Sequence, residues 1–330
     1  MGDVAMTVPV IRAFADQYPE VKITVISRTF FKPLFTTIPN AAFFPFDPEG
    51  KHKGFSGLLR LYSDIKKLEI DAFADLHNVL RSKVVSSLFA LSGTKTATVD
   101  KARSEKKALT RTENKIFKPL MPIIERHAKV FEELGFPIDL SKPTFPENAH
   151  LGRTITTITG QKEDHQWIGI APFAQYQSKV YPADLIQIVI SDLAQNSRYK
   201  IFLFGSEAEI KFLDNLANGA GNVVVVAGKF NLEQELKLIS NLDVMVSMDS
   251  ANAHIAAIYG IKVITLWGAT HPFAGFAPFN QPFDNALTSD RTTYPLLPTS
   301  VYGNKDVPGY EDAMRTITPE DVVEKIKSFL

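Results

Sequence analysis

The sequence predicts an α/β protein built from two doubly wound halves. Three observations lead there. Short β-branched apolar runs alternate with helical patterns along most of the chain. In the second half these runs end repeatedly at glycine or small polar residues, as parallel strands do where they turn into helices. With 330 residues, the chain is long enough for two domains that each bury a core.

In the first half, the helical pattern of Val4, Val8, Ile11 and Phe14 leads into a β-branched run at 21–27. An apolar run at 41–46 precedes a helical stretch at 57–68. A strand is expected at 70–76 and a helix at 79–91. In the second half, strands are expected at 167–171, 200–204, 222–226, 243–247 and 262–267. The intervening helices fall at 183–196, 207–217, 232–241 and 250–259. Pro, Asn and Gly gather at 137–153, which sets the domains at 1–150 and 151–330. The final helix, about 319–330, is expected to pack back on the first domain. An open α/β domain normally begins with a strand, yet this chain begins at what reads as the loop after one. The first strand is therefore expected to lie upstream of Met1.

Composition narrows the function classes. Formal net charge is zero, with a basic excess of five in residues 1–150 and an acidic excess of five in the remainder. Much of the basic excess sits in Lys101, Arg103, Lys106, Lys107, Arg111, Lys115 and Lys118, a segment rich in turn and polar residues. Such a run is either a solvated loop or a flexible flap that meets an anionic partner. Zero net charge and the lack of an RNA-binding motif disfavour nucleic acid. Cysteine is absent, which fits a reducing compartment, and no apolar run is long enough to span a bilayer. A basic leader is also absent from the N-terminus, so a cytoplasmic location is expected.

Candidate chemistry gathers at the loops. Asp3 precedes a helix; it caps that helix, or it presents a carboxylate able to take a proton from an attacking hydroxyl. In Ser247-Met248-Asp249-Ser250-Ala251-Asn252-Ala253-His254 a buried strand gives way to a helix opened by small residues. That aims free N–H groups and the positive end of the helix dipole at an anion such as a pyrophosphate. His254 lies one turn in. The next unit, Trp267-Gly268-Ala269-Thr270, is again strand, glycine and polar turn on the same sheet edge. Lys179, just before a helix, could neutralise a phosphate, and Glu207 could accept hydrogen bonds from a ribose diol. Taken singly, each has an ordinary structural explanation; four such loops on one edge are harder to dismiss. The chain has no G-x-G-x-x-G after a strand, no Walker loop, no nucleophile elbow, no H-E-x-x-H and no Asp-x-Asp.

The motifs Gly2-Asp3-Val4 with Thr7-Val8-Pro9, then Ser247–His254 and Trp267–Thr270, together resemble the family 9 glycosyltransferases, which include the lipopolysaccharide heptosyltransferases. The resemblance implies a GT-B fold, two Rossmann-like domains facing a cleft. It implies an acceptor-binding first domain and a second domain that binds a nucleotide sugar, ADP-heptose in the best-known members. Asp3 would be the catalytic base of an inverting, metal-independent transfer, with no cofactor. Lys179, Glu207, Asp249, Ser250, Ala251, His254, Gly268 and Thr270 would hold the donor. The acceptor would be an anionic glycolipid of the lipopolysaccharide core at the inner membrane face, met by Lys101, Arg103, Lys106, Lys107 and Arg111. Ala251, Asn252 and His271 depart from residues frequent in the family. A sugar-nucleotide 2-epimerase of the same fold and a non-catalytic sugar-nucleotide or glycolipid binding protein are the competing readings.

Overall fold

A computed structural model describes residues 1–330, which divide into two compact units. The first comprises residues 3–102 and 121–144, with Met1; the second comprises 103–120 and 145–330, with Gly2. The boundary at Thr144 falls inside the expected linker, but the basic segment at 103–120 belongs to the second unit.

The first unit opens with a single turn, α1 (Gly2–Ala5), and the helix α2 (Val8–Gln17). Strands β1 (Ile23–Ser27) and β2 (Ala41–Pro45) pair in parallel, joined through a 3-10 segment at Thr29–Phe35. Helix α3 (Gly54–Lys66) leads to β3 (Ala72–Asp75), and α4 (Leu80–Leu91) leads to β4 (Lys95–Thr98), which pairs in parallel with β3. Helix α5 (Arg103–Thr110) belongs to the second unit, and α6 (Ile123–Glu133) returns to the first. β1–β2 and β3–β4 are separate two-stranded sheets. One face is covered by α3 and α4, whose Leu58, Leu61, Ile65, Val85 and Phe89 gather Ile26 of β1, Phe44 of β2 and Phe73 of β3 into one core. On α2, Phe14 packs on Phe131 of α6 with ring centroids 4.6 Å apart.

In the second unit, α7 (Arg153–Thr159) precedes a run of strand–helix repeats. These are β5 (Gln166–Ala171), α8 (Ala183–Ala194), β6 (Tyr199–Leu203), α9 (Ile210–Ala217), β7 (Val223–Val225), α10 (Leu232–Ile239), β8 (Val244–Met248), α11 (Ala251–Ile258) and β9 (Lys262–Trp267). With β10 (Ala286–Thr288) they form one parallel six-stranded sheet in the order β10-β9-β8-β5-β6-β7. Every residue of β8 is buried, as a parallel strand covered on both faces requires.

The last helix, α12 (Pro319–Lys327), lies within the second unit. Its Val322, Val323 and Ile326 join the core of Ile186, Val189 and Ile190 on α8. Lys327 reaches Asp192 at 2.8 Å, and Arg315, ahead of the helix, forms a two-pronged pair with Asp184 at 2.8 and 3.0 Å. An apolar face matched to α8 decides its place. The 137–153 stretch is pinned at both ends: Tyr18 donates to the Pro137 carbonyl at 2.8 Å, and Ser240 Oγ accepts from the Ala149 amide at 3.1 Å.

Candidate active site

In the second unit, the strand order makes β9, β8, β5 and β6 neighbours, so the loops leaving their carboxyl ends form one continuous rim. The proposed donor residues stand on these four loops. After β8, Asp249 is buried and its Oδ2 lies 3.1 Å from Lys179 Nζ, which arrives on a 3-10 turn (Gln177–Lys179) after β5. The ion pair is largely removed from water, with side-chain exposures of 12% for Lys179 and 9% for Asp249, so it holds the lysine in place rather than flickering on the surface. Ser250 is the N-cap of α11 in position but makes no side-chain cap bond; its hydroxyl instead lies 2.9 Å from Ser247 Oγ. The first-turn amides of α11 therefore keep their donors for another acceptor. His254 is buried one turn further along.

After β9, the backbone closes tightly. A Cβ at Gly268 would sit 2.4 Å from the Ser178 carbonyl oxygen, and the Ala269 amide donates to that same oxygen at 3.0 Å. Only glycine allows this approach, which ties the β9 loop to the loop carrying Lys179. Thr270 is buried with its hydroxyl unpartnered. His271 accepts from the Phe273 amide at 3.1 Å through Nδ1. Burial, aided by the Arg291 charge, lowers its pKa to about 4.

After β6, two acids take different parts. Glu209 closes a capping box with Ser206, accepting from its amide at 2.6 Å and its hydroxyl at 2.8 Å. Glu207 stays exposed at the rim, against Gly228, where a Cβ would meet Glu207 Cγ at 3.0 Å.

In the first unit, Asp3 sits on α1 with its carboxylate 70% exposed, 4.0 Å from His77 Nε2. His77 follows β3, held by a turn in which Asp75 Oδ1 accepts from the His77 and Asn78 amides at 2.9 and 2.8 Å. Burial lowers the His77 pKa, and the charge of Lys101 adds to that, while Asp3 and Asp75 oppose it. No signal singles out His77 in the sequence; its place beside Asp3 comes from the β3 turn.

The basic segment is not a free flap. Lys101 lies in the first unit, whereas Arg103, Lys106, Lys107 and Arg111 lie in the second. Lys106 is buried, with its Nζ 4.0 Å from the centre of the Phe276 ring, and Leu109 is wholly buried. Lys115 donates to the carbonyls of Leu109, Leu296 and Pro298 at 3.1, 2.7 and 2.7 Å. An apolar stripe and buried lysine stems anchor a segment whose charge suggested a solvated loop. Arg103, Lys107 and Arg111 remain exposed.

A doubly wound second unit with chemically equipped loops on its strand ends, and a first unit of parallel strands alternating with helices, define a protein of the GT-B class. The chain belongs to glycosyltransferase family 9 (heptosyltransferase), whose model matches residues 58–297, and it is a glycosyltransferase. It is 23% identical over 304 residues to the lipopolysaccharide core heptosyltransferase OpsX of Haemophilus influenzae, covering 87% of this chain and 81% of that protein. Among solved structures, a family 9 glycosyl transferase from Veillonella parvula superposes with a TM-score of 0.76 at 18% identity, covering 100% of this chain and 94% of that one. The Escherichia coli heptosyltransferase WaaC with ADP superposes with a TM-score of 0.67 at 18% identity, covering 100% and 97%. No helix is long and apolar enough to cross a membrane.

Proposed function

We propose that the chain transfers a heptose from ADP-heptose to a lipopolysaccharide core acceptor, inverting the anomeric centre without a metal ion. The observation that carries this reading is the uncapped start of α11 beside the buried Lys179–Asp249 pair on one sheet rim. The named relatives support the sugar and the acceptor, and the structure of WaaC with ADP supports the nucleotide.

In this mechanism Asp3 accepts the proton of an acceptor hydroxyl. The freed oxygen attacks the anomeric carbon from the face opposite the nucleotide. A carbon–oxygen bond forms there, the bond to the pyrophosphate breaks, and ADP leaves with the bonding pair. Lys179 and the α11 amides bind the charge that gathers on the leaving phosphate, so no cation is required for it. Thr270 and His254 complete the polar wall, and Ser250 and Ala251 shape the helix start. Gly268 lets the β9 loop close on the lysine loop. Glu207 takes the ribose diol. Asp249 acts through Lys179, since a carboxylate placed directly on a phosphate would repel it. The exposed Arg103, Lys107 and Arg111, with Lys101, meet the anionic glycolipid at the cytoplasmic face of the inner membrane, while Lys106 holds α5 in place.

Thermal stabilisation by ADP, UDP and GDP, each with and without EDTA, tests this reading. Selective stabilisation by ADP of about 2.7 kcal/mol at a hundredfold excess over Kd, unchanged by EDTA, is expected. Preference for another nucleotide would replace the donor, and loss of the response with EDTA would end the metal-free mechanism. Lys179→Gln should weaken ADP by roughly ten- to a hundredfold, the value of one charge-assisted contact.

A further inference from the structure

The first unit carries a pocket of its own, besides the loops of the second unit assigned to the donor. It lies where α4 begins and β4 ends, has a volume of about 440 Å³ and is bordered by Asn78, Lys83, Ser86, Ser87, Thr98 and Asp100. That size is within the range of small-molecule sites. The paired strands β3 and β4 both end here, and the carboxyl ends of parallel strands are where α/β units bind ligands.

The two lips of the pocket are tied together. Asn78, in the left-handed region at φ 48°, donates through Nδ2 to the Val99 carbonyl at 2.6 Å. The Val99 amide donates in turn to the Asp75 carbonyl at 2.9 Å. The turn before α4 and the exit of β4 therefore hold one geometry, and a ligand does not have to build it.

The lining groups define what fits. Ser86 is only 6% exposed, and its hydroxyl makes no hydrogen bond within the chain. Asn78 Oδ1 is also buried without a partner. Polar groups withdrawn from water are costly unless they are bonded, and both of these border the pocket. Lys83 supplies a cation. Asp100 does not cancel it, because its Oδ2 accepts from Arg126 at 3.1 Å and its Oδ1 from the Ala102 amide at 2.9 Å. Arg81 and Lys101 add positive charge to the same rim: after burial, their charges lower the pKa of the neighbouring His77 against the pull of Asp3 and Asp75. A bare oxyanion would satisfy Lys83 but has no donor to offer Asn78 Oδ1 or the Asp100 carboxylate. Sugar hydroxyls have one, and they also accept, which suits Ser86, Ser87 and Thr98.

We propose that this pocket binds an acidic sugar, a saccharide ring that carries a carboxylate or a phosphate. The oxyanion meets Lys83, and ring hydroxyls meet Asn78, Ser86, Ser87 and Thr98. Binding here does not depend on the transfer reaction proposed above, and the site is separate from the contacts assigned to Lys101, Arg103, Lys107 and Arg111.

Nitrogen–proton correlation spectra of the 330-residue chain test this, with D-glucuronate, D-glucose 6-phosphate, D-glucose and inorganic phosphate as probes. At least one of the two charged sugars should shift the Asn78 side-chain amide and the backbone amides of Ser86, Ser87 and Val99, saturating with a Kd on the order of 1 mM. Tighter binding of glucuronate assigns the site to sugar carboxylates, and tighter binding of glucose 6-phosphate assigns it to sugar phosphates. Glucose and inorganic phosphate should each bind about tenfold more weakly or worse. Lys83→Gln should weaken the charged sugar about tenfold and Thr98→Val about threefold, since each removes one contact and keeps the side-chain size. Amides of β5 and β8 should not respond. The proposal is overturned if neither charged sugar shifts these amides, if glucose or phosphate alone binds as well, or if the shifts survive both substitutions.

Discussion

The two units are built on one plan and differ in how completely their sheets are bonded. In the second, six strands form a single ladder, and β8 is buried along its whole length. In the first, four strands form two ladders, and β1 and β3 are half-buried for most of their length. The loops assigned to the donor hang on the continuous sheet. The candidate base, Asp3, stands on a single helical turn beside the divided one. A nucleotide site built from several strand ends, as proposed for the second unit, would need those ends held in fixed register, and one continuous ladder is suited to that. The first unit carries its chemistry on segments positioned by fewer bonds.

The largest effect should separate chemistry from binding between the units. Asp3→Asn removes the proton acceptor and keeps the side-chain shape. It should lower kcat by about 10²–10⁴-fold while the stabilisation by ADP stays unchanged. Turnover that survives the substitution would move the base elsewhere. Reduced ADP stabilisation would instead give Asp3 a part in binding the nucleotide.

Next in size is the difference in packing itself. Ile170 on β5 is wholly buried in the second core, whereas Ile26 on β1 is only half-buried against the α3–α4 cluster. Ile170→Ala should cost about 2–5 kcal/mol. Ile26→Ala should cost less than about 2 kcal/mol, since less surface is returned to water. Equal losses in urea titrations would mean that the divided sheet is as tightly packed as the continuous one.

Acid should expose the same contrast. His127 on α6 has its pKa lowered to about 4, chiefly by burial, against the opposing pull of hydrogen bonds to the Met6 and Leu76 backbone. His271 in the second unit is lowered to a similar value. Each is neutral when folded and gains a proton more readily when unfolded, so each withdraws stability as pH falls from about 6.5 towards 4, by up to about 3 kcal/mol. The second unit also holds Glu235, which burial raises to about 7. Its proton stays on in the folded state, so it adds stability as pH falls from about 7 to 4.5 and offsets His271. The first unit should therefore lose its exchange protection before the second between pH 6 and pH 4. Simultaneous loss would show that the two units unfold together.

The same contrast governs what can be read in the sequence. In the second half, strands such as Val244–Met248 and Lys262–Trp267 are apolar on both faces, and their limits are legible to within about a residue. β4, Lys95–Thr98, carries threonines and one buried alanine, and it gives no signal. Helix α6 has Ile123, Ile124, His127, Val130 and Phe131 at helical spacing, but the charges of the segment before it mask that pattern as loop. The loops proposed for the donor are visible because a strand end, a glycine and a small-residue helix start follow one another in sequence. The Lys179–Asp249 pair is not, since 70 residues separate partners that meet only when β5 and β8 lie side by side. His77 is hidden for the same reason.

The smallest effect distinguishes site from scaffold within the well-bonded unit. Glu207 and Glu209 leave the same strand two residues apart, yet only Glu209 is engaged in the capping box. Glu207→Gln should weaken ADP by roughly five- to tenfold, because a neutral amide is a poorer acceptor for two hydroxyls. It should leave the binding of 2′,3′-dideoxy-ADP and the melting temperature unchanged. Glu209→Ala should do the reverse, lowering stability by about 1 kcal/mol through the lost cap, with ADP affinity kept once the protein is folded. If both substitutions weaken ADP equally, the β6 loop acts as one body and the ribose contact cannot be assigned to Glu207. If neither does, the diol is bound elsewhere on the rim, and β6 contributes only the wall.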